Sequence, residues 1–244
     1  MAIVLFTDFG AGDAYVGQVE AVLDQRAPGV RVIHLLHEAP AYNVKAAAHL
    51  LAALAAGLEG HHVFIGVVDP GVGTDRGAVV VRADRHWYVG PDNGLFSVVA
   101  ARAAQRSVWR IAGTPSAAAR SFHGRDVFAP IAAALARDGF PSPSPSLAPA
   151  DGLSVRLGDG DLAGIIYIDH YGNAWTGLRA DALPRDRTLA IAGRELPYAG
   201  VFGEVPPGTA FWYENSSKLV EIDVNQGSAA HALGLEIGMP VAWR

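Results

Sequence analysis

The first 140 residues alternate short apolar runs with segments whose apolar side chains recur at helical spacing, and this alternation constrains the fold most strongly. Residues 3–6 form a continuous apolar run, as is typical of a buried parallel strand, and residues 62–68 predict another strand. Between them, Val16, Val19, Val22 and Leu23 form an apolar helical stripe. The pattern predicts an α/β N-terminal domain whose sheet is flanked by helices.

Acidic residues follow two of the predicted strands. Asp8 comes after the first strand and Asp69 after the third, while Asp13 is positioned to cap the first helix. Ligands of open α/β sheets bind beyond the carboxyl ends of the strands, so we expect Asp8 and Asp69 at a binding edge. The other elements predicted in this half are strands at residues 30–36 and 108–111, a hairpin of residues 77–82 and 86–89, and helices at residues 44–58, 95–105 and 127–137.

The character of the chain changes after residue 140. Residues 141–146 alternate Pro and Ser, which predicts an extended linker over residues 141–153 between domains at 1–140 and 154–244. The last domain has short β-rich runs separated by Gly, Pro and Asn and little helical signal, so it is predicted to be a small all-β barrel or sandwich. These runs are residues 162–168, 188–191, 210–213 and 219–224.

Composition excludes several classes of partner. The net charge of −5 argues against nucleic acid or an anionic membrane as the main partner. The chain contains no Cys, so it has neither disulfides nor thiolate metal sites, which fits a reducing cytoplasm. Its histidines do not show metal-ligand spacing, so we expect no metal, and the protein is expected to be soluble and cytoplasmic.

Two motifs at the predicted strand ends each have two interpretations. Asp8, within residues 7–10, can accept both hydroxyls of a ribose, or it is a turn residue beside Gly10. Residues 69–73 lack the Lys of a phosphate loop, so nucleoside triphosphate binding is disfavoured. Arg76 can fold back onto Asp69, although a structural turn with a surface ion pair explains the same pattern.

Two further motifs remain open in the same way. His123 lies beside Gly124 in a segment where Arg125 can pair with a carboxylate and Asp126 can cap a helix, and a structural role for this His is the alternative. In residues 169–175, an amide such as that of Asn173 can read the edge of adenine while aromatic residues stack on its face. A β-turn with core aromatics is the alternative.

Six segments in this order resemble the S-adenosyl-L-methionine (SAM) hydroxide adenosyltransferases, also called SAM hydrolases, which are relatives of fluorinase and chlorinase. The segments are residues 7–10, 69–73, 91–94, 122–130, 169–173 and 215–225. The resemblance implies an α/β N-terminal domain and a β-barrel C-terminal domain. It also implies a homotrimer without a cofactor, in which each site lies between one subunit's N-terminal domain and its neighbour's C-terminal domain.

The resemblance implies a role for each site residue. The triad Asp69, Arg76 and His123 would place the attacking water or hydroxide. The substrate-binding set would comprise Asp8 at the ribose hydroxyls, Tyr42 near the sugar, Asn173 and the Val224 backbone at adenine with Tyr171 and Trp175 around it, Asp13, Asp169 and Ser216 at the methionine end, and Glu221. Tyr15 and His170 depart from the residues expected near the methionine end.

The implied chemistry is attack of water at C5′ of SAM, which gives adenosine and L-methionine. Because the sulfonium leaves as a neutral thioether, the step requires positioning of water more than a general acid. The residues do not assign the base, which is either Asp69 or His123. A SAM-dependent halogenase is the enzymatic alternative, which the carboxylate of Asp69 disfavours by repelling halide, and a non-catalytic SAM- or adenosine-binding module is the other.

Overall fold

The computed structural model of the protein describes residues 1–113, 118–140 and 147–244. Two compact units make up the chain: residues 1–51 with 59–159, and residues 52–58 with 160–244. The first is a mixed sheet with helices, and the second is rich in short strands. The Pro/Ser run at residues 141–146 lies outside the described residues.

A seven-stranded sheet forms the first unit, in the order β2-β1-β3-β5-β4-β6-β7. Strands β1, β2, β3 and β5 are parallel to one another, while β4, β6 and β7 pair antiparallel. The strands are β1 (Ala2–Thr7), β2 (Val32–Leu36), β3 (His62–Val67), β4 (Ala78–Ala83), β5 (His86–Pro91), β6 (Arg106–Ile111) and β7 (Leu147–Ala150). The predicted α/β architecture and the hairpin are therefore confirmed.

The direction of the connections reverses at β1, which lies between β2 and β3. After β1 the chain forms β2 on one side of it, and then crosses to form β3 on the other side. This reversal opens a crevice at the carboxyl ends of β1 and β3. Thr7 at the end of β1 is paired with Val67 at the end of β3. Asp8 and Asp69 leave the sheet at this edge.

The helices of the first unit are α1 (Ala14–Arg26), α3 (Ser97–Arg102) and α4 (Ala129–Asp138), together with the first part of α2 (Val44–Ala56), whose residues from Ala52 belong to the second unit. Helices α1 and α4 pack together with β1 and β3 in one core cluster, and each of its buried side chains contributes about 1.5–3 kcal/mol by leaving water. The residues of that cluster include Ile3, Val19, Leu23, Ile65, Phe128 and Leu135.

The structure differs from three predictions in the first unit: the extent of the helix at residues 95–105, the start of the helix at residues 127–137, and the capping role of Asp126. The helix predicted over residues 95–105 is confined to α3, because its C-cap Ala103 is already extended. A π-helical turn, Gly124–Phe128, precedes α4, and Asp126 lies inside it. Its carboxylate pairs with Arg125 and accepts the Ala119 N–H, so Asp126 does not cap a helix.

Residues Leu147–Ala150, within the predicted linker, form strand β7 on β6. Further along, Ser154 donates its N–H and its hydroxyl to the buried carboxylate of Asp92. Residues 147–150 of the predicted linker, and Ser154 just after it, therefore belong to the first unit.

The second unit has two antiparallel sheets, ordered β11-β10-β14 and β12-β13-β9-β8. The strands are β8 (Leu162–Ile168), β9 (Ala174–Arg179), β10 (Leu189–Ile191), β11 (Arg194–Leu196), β12 (Ala210–Glu214), β13 (Leu219–Val224) and β14 (Ala242–Trp243), with the short helix α5 (Ala229–Leu233). Their core includes Leu189, Trp212, Val220, Ile222 and Val241. In the described part of the chain, no helix combines the length and apolarity that a membrane span requires.

Candidate active site

Asp69 and Arg76 form a buried ion pair across the tight turn that follows β3. Arg76 Nε donates to both carboxylate oxygens of Asp69 at 3.0 Å, and Nη2 also donates to Oδ2. The side chain of Asp69 is only 4% exposed and that of Arg76 only 11%. Breaking a buried pair by removing one partner costs about 3–5 kcal/mol, far more than the loss of a surface pair. A surface ion pair, the structural interpretation of this motif, does not fit this burial.

His123 completes a contiguous triad through Arg76. Arg76 Nη2 lies 3.0 Å from His123 Nδ1, and because a guanidinium only donates, Nδ1 accepts. The ring is therefore neutral, with its proton on Nε2. Burial, followed by the charge of Arg76, lowers the pKa of His123, with Asp69 and Asp126 opposing the shift. The ring nitrogen of His123 that does not face Arg76 is thus a hydrogen-bond donor, Nε2–H.

Two glycines bring the three motifs close together. Gly73 has a φ of +79°, and a Cβ there would lie 2.9 Å from the Arg120 carbonyl oxygen. A Cβ on Gly124 would lie 3.0 Å from the ring of Phe9, so this glycine admits the aromatic side chain that follows Asp8. Glycine at both positions permits close approach of neighbouring groups.

Asn93 supports the turn that carries Asp69, a role that the sequence did not reveal. Its Nδ2 donates to the Val68 carbonyl at 2.9 Å, and its Oδ1 accepts the Leu95 N–H at 3.2 Å. The signal was present in the segment of residues 91–94, which entered the family resemblance without an assigned function. Asn93 thereby fixes the backbone beside Asp69.

Asp8 lies half-buried where β1 ends, next to the triad. Its N–H donates to the Val67 carbonyl at 3.1 Å. Burial raises the pKa of Asp8 and the charge of Asp69 adds to this, while the N–H groups of Asp8 and Tyr42 lower it. Tyr42 has a φ of +61° and is 81% exposed, so its ring is available to a ligand while its backbone faces Asp8.

A hydrogen-bond chain runs from the end of β1 to α1. The Phe9 N–H donates to Thr7 Oγ1 at 3.4 Å, Thr7 Oγ1 is 2.9 Å from His37 Nδ1, and His37 Nε2 is 2.7 Å from His34 Nδ1. The chain ends where His34 Nε2 meets Glu20 Oε1 at 2.9 Å. With both rings neutral, every bond in it runs in one direction, from the amide to the carboxylate. This chain was not predicted.

Three aromatic rings from separate parts of the sequence meet beside the triad. Phe9 and Phe122 lie with ring centroids 5.8 Å apart, and Tyr15 is 5.7 Å from Phe9 and 5.4 Å from Phe122. Tyr15 is 50% exposed. Asp13 occupies the N-cap of α1 but its side chain makes no capping hydrogen bond, so its exposed carboxylate is open to solvent and ligands.

In the second unit, Asp169 organises the turn between β8 and β9. Its Oδ1 accepts the N–H groups of Tyr171 and Asn173, both at 2.9 Å. Tyr171 is 74% exposed and Asn173 is buried, while Trp175 packs edge-on against Tyr167. The β-turn alternative therefore describes the backbone here, and it leaves the Tyr171 ring accessible.

Glu221 is the buried acceptor on β13. Tyr213 donates its hydroxyl to Oε1 at 3.0 Å, and Asn215 Nδ2 donates to Oε2 at 2.8 Å. Burial raises the pKa of Glu221. Ser216 is exposed in the β12–β13 turn, and the Val224 carbonyl accepts the Gly227 N–H at 2.9 Å.

Asp223, on the same face of β13 as Glu221, was not singled out from the sequence. It is fully buried, and its carboxyl interacts with the side chains of Glu221 and Tyr213. Burial, followed by the charge of Glu221, raises the pKa of Asp223 to about 8. Its carboxyl therefore holds a proton through most of the neutral range.

The predicted residues divide between the units. The first unit brings together Asp8, Asp69, Arg76 and His123, with Asp13 and Tyr42 in the adjoining loops, and the second carries Asp169, Tyr171, Asn173, Trp175, Ser216, Glu221 and Val224. Within the described ranges, no three His, Asp or Glu side chains are grouped so as to hold a metal ion.

Comparison with known proteins places this arrangement in context. Residues 3–143 match the model of the SAM hydroxide adenosyltransferase N-terminal domain, and residues 163–242 match that of the C-terminal domain. A protein of Thermus thermophilus named (R)-S-adenosyl-L-methionine hydrolase is 40% identical, covering 98% of each chain. One of the same name from Salinispora arenicola is 37% identical over 95% of this chain and 93% of its own.

A solved structure has the same fold. The crystal structure of an uncharacterized conserved protein from Thermotoga maritima superposes with a TM-score of 0.88 at 28% identity, covering 99% of each chain. The similarity extends over both units, so the two-unit organisation is common to the two proteins.

Proposed function

Because this chain belongs to the SAM hydroxide adenosyltransferase family, we propose that it hydrolyses S-adenosyl-L-methionine to adenosine and L-methionine. The observation that carries the proposal is the buried, contiguous triad of Asp69, Arg76 and His123 at the reversal point of the sheet. The names of the similar hydrolases further support the epimer with R configuration at sulfur as the preferred substrate.

In the proposed reaction, a water oxygen attacks C5′ of the substrate. The C5′–S electron pair leaves with sulfur, which becomes the neutral thioether of methionine, and the water gives up one proton. Arg76 holds the other two members of the triad in place. Asp69 Oδ1, which accepts one bond from Arg76, retains a lone pair for the water, and His123 Nε2–H orients the water oxygen.

The assignment of Asp69 as the proton acceptor follows from hydrogen-bond direction. His123 Nδ1 is occupied by Arg76 and its Nε2 already carries a proton, so the neutral ring has no free lone pair. The carboxylate of Asp69 keeps a free lone pair on Oδ1. Its negative charge also disfavours a halide at the same position, which argues against the halogenase alternative.

The substrate-binding assignments form part of the same proposal. Asp8 would accept the ribose hydroxyls, with Tyr42 near the sugar and Asp13 at the methionine end. From the second unit, Asn173 and the Val224 backbone would read adenine. Tyr171, Trp175 and Glu221 would surround the base, and Asp169 and Ser216 would face methionine.

We infer a homotrimer in which each site combines the first unit of one subunit with the second unit of its neighbour. The division of the proposed residues between two units supports this arrangement, because neither unit alone carries both the water-placing and the adenine-reading groups. We also propose that the two C-terminal sheets close into a barrel, as the family resemblance implies.

The test is product analysis with pure protein and SAM of defined configuration at sulfur. Chromatography should detect adenosine and methionine in equal amounts, and oxygen-18 from labelled water should enter the adenosine 5′-hydroxyl. Addition of chloride or fluoride should yield no 5′-halo nucleoside.

Variants distinguish the triad from general damage to the protein. Asp69→Asn should lower kcat about 10²-fold or more while SAM affinity stays near that of the wild type. Asp75→Asn, at an exposed aspartate of the same turn, is the matched control and should keep full activity. Binding of SAM without release of adenosine by the wild type would replace the hydrolase proposal with a binding module.

A further inference from the structure

The aromatic cluster of Phe9, Tyr15 and Phe122 has no part in placing water, yet it borders the groups that do. Phe9 directly follows Asp8, Phe122 directly precedes His123, and the three rings are mutually in contact. Phe122 packs edge-to-face against both Phe9 and Tyr15, and Phe9 and Tyr15 are tilted at 46°, with all centroid distances between 5.4 and 5.8 Å. The cluster is an apolar surface next to charged groups.

This surface already attracts a cation. The guanidinium of Arg125 lies over the ring of Phe122, 4.9 Å from its centroid. Phe122 is 9% exposed, and Phe9 is partly buried against Gly124 and both other rings, so each offers less ring surface than Tyr15. Tyr15, half-exposed, is the member of the cluster with ring surface available to a ligand.

The geometry of in-line displacement indicates that the substrate sulfur lies near the ring of Tyr15. In-line attack places sulfur on the far side of C5′ from the water, so the sulfur is about 5 Å from the water oxygen that the triad holds. The ring of Phe122 adjoins His123 in sequence, and Tyr15 contacts that ring at 5.4 Å. Because the cluster adjoins the site in sequence both at Asp8 and at His123, we expect a sulfonium at this distance from the water to reach it.

We propose that Tyr15 receives the sulfonium of the substrate against its ring and thereby selects the charged sulfonium over a neutral thioether. The proposal rests on the proposed function. The ring quadrupole attracts a cation but not an uncharged sulfur of the same shape. Because the sulfonium loses its charge when C5′–S breaks, this attraction holds the substrate and is absent for the methionine product.

The proposal predicts a separation of kinetic effects. The attraction acts on the ground state and fades as positive charge leaves sulfur, so its loss should raise KM for SAM and raise kcat by up to a similar factor, leaving kcat/KM changed less than KM. Removal of a group that merely stabilises the fold would instead change SAM, thioether and adenosine binding together.

The test compares Tyr15→Leu, which keeps apolar volume without a π face, with Tyr15→Phe, which keeps the ring. Calorimetry should measure affinity for SAM, for S-adenosyl-L-homocysteine as the neutral thioether, and for adenosine, with SAM measured in an Asp69→Asn background so that it is not consumed. Tyr15→Leu should weaken SAM binding about 2- to 30-fold and change the other two less than twofold, while Tyr15→Phe should match the parent protein.

An unchanged ratio of SAM to thioether affinity in Tyr15→Leu would overturn the proposal. Retained adenosine affinity and an unchanged melting temperature show that the variant is folded, and if Tyr15→Leu does not fold, Tyr15→Met provides the same comparison. Failure of the proposed function is a separate result, because it would appear as absence of adenosine release from SAM by the wild type.

Discussion

At the residue scale, the charge state of His123 depends on one neighbour. Arg76 donates to Nδ1 and, after burial, is the main cause that lowers the pKa of His123. A lowered histidine pKa means that the neutral ring persists to a pH below its usual midpoint near 6.5 and that protonation breaks the contact with Arg76. Water placement by the triad therefore requires a pH above this lowered midpoint.

We predict that NMR titration of His123 gives a midpoint below 6.5 and that kcat/KM falls as pH drops through it. Arg76→Gln should move the midpoint of His123 upward, because the positive charge is removed while Asp69 and Asp126 still favour the imidazolium. A midpoint that does not respond to Arg76→Gln would show that Arg76 does not set the charge of this ring.

Asp223 carries a different pH dependence, one of stability. Burial raises the pKa of Asp223 in the folded protein to about 8, above its ordinary value of 3.8, so between these values the folded state binds more protons than the unfolded state. Stability is then complete below about pH 4 and declines as pH rises, at up to about 1.4 kcal/mol per pH unit. The ionised form of this buried carboxyl is thus a stability cost at high pH.

Asp223→Asn should remove this decline. Denaturant unfolding should show the variant more stable than the wild type at pH 8, with the difference shrinking toward pH 4. Asp186→Asn, at an exposed aspartate of the same unit, should change neither stability nor its pH dependence. A wild-type protein whose stability does not fall from pH 5 to pH 8 would contradict a raised Asp223 pKa.

At the element scale, the π-helical turn and the loop after β1 fit together without spare room. A Cβ on Gly124 would meet the Phe9 ring at 3.0 Å, and that ring is held by two aromatic neighbours. Gly124→Ala should therefore lower stability by about 1–3 kcal/mol and weaken adenosine binding.

Relief of the contact should restore the protein. Phe9→Leu in the Gly124→Ala background should recover part of the lost melting temperature, since the clash is with that ring. Gly12→Ala, where a Cβ meets nothing within 4 Å, is the control in the neighbouring loop. If the double variant is no better than Gly124→Ala alone, another contact causes the loss.

Periodicity predicted the elements that are long or flanked by strong turn signals. Strands β1 and β3 and helix α1 lie where their apolar patterns indicated, because burial on one face or both leaves a readable period. Strand β7 was missed because Leu147–Ala150 is short and edge-paired with two exposed positions, which gives no alternation to detect. The three-residue strand β11 is shorter still, whereas β10 lies within the run predicted at residues 188–191.

Part of the candidate site was predictable without the family: the strand ends placed Asp8 and Asp69 at one sheet edge, and the turn after Asp69 allowed Arg76 to fold back onto it. His123 lies 54 positions after Asp69, and no local pattern says that it joins them; its contact with Arg76 follows from the fold. His34 and His37 were considered only as metal ligands, because their shared role depends on Thr7, 30 residues away from His37. The burial of Asp223 could not be read from an acidic side chain in a strand.

At the scale of the whole molecule, the proposed sharing of sites between subunits has a consequence for mixtures of inactive variants. Asp69→Asn is expected to disable the first unit, and Asn173→Ala the second. If each site joins the first unit of one subunit to the second of its neighbour, an equal mixture of subunits assembled at random should contain intact sites, roughly a quarter of the total.

Co-expression of the two variants should therefore restore close to this fraction of wild-type adenosine release per site, whereas mixing after separate purification should restore it only if subunits exchange. Co-expression of Asp69→Asn with Arg76→Gln is the control, because both changes lie in the first unit and no intact site can form. Absence of recovery would contradict a shared site.

The hydrogen-bond chain from Thr7 to Glu20 links the end of β1, beside Asp8, to the exposed side of α1, and every link in it is a shared proton. Its two rings have four nitrogens, and when neutral they carry two protons, one between the rings and one toward Glu20. A third proton has a single vacant position, His37 Nδ1, which would then donate toward Thr7 and leave the threonine hydroxyl hydrogen without its acceptor. Burial, followed by the charge of His34, lowers the pKa of His37, so this third proton is taken up only below the ordinary range of a histidine, and its uptake would change the hydrogen bonding at the edge of the sheet.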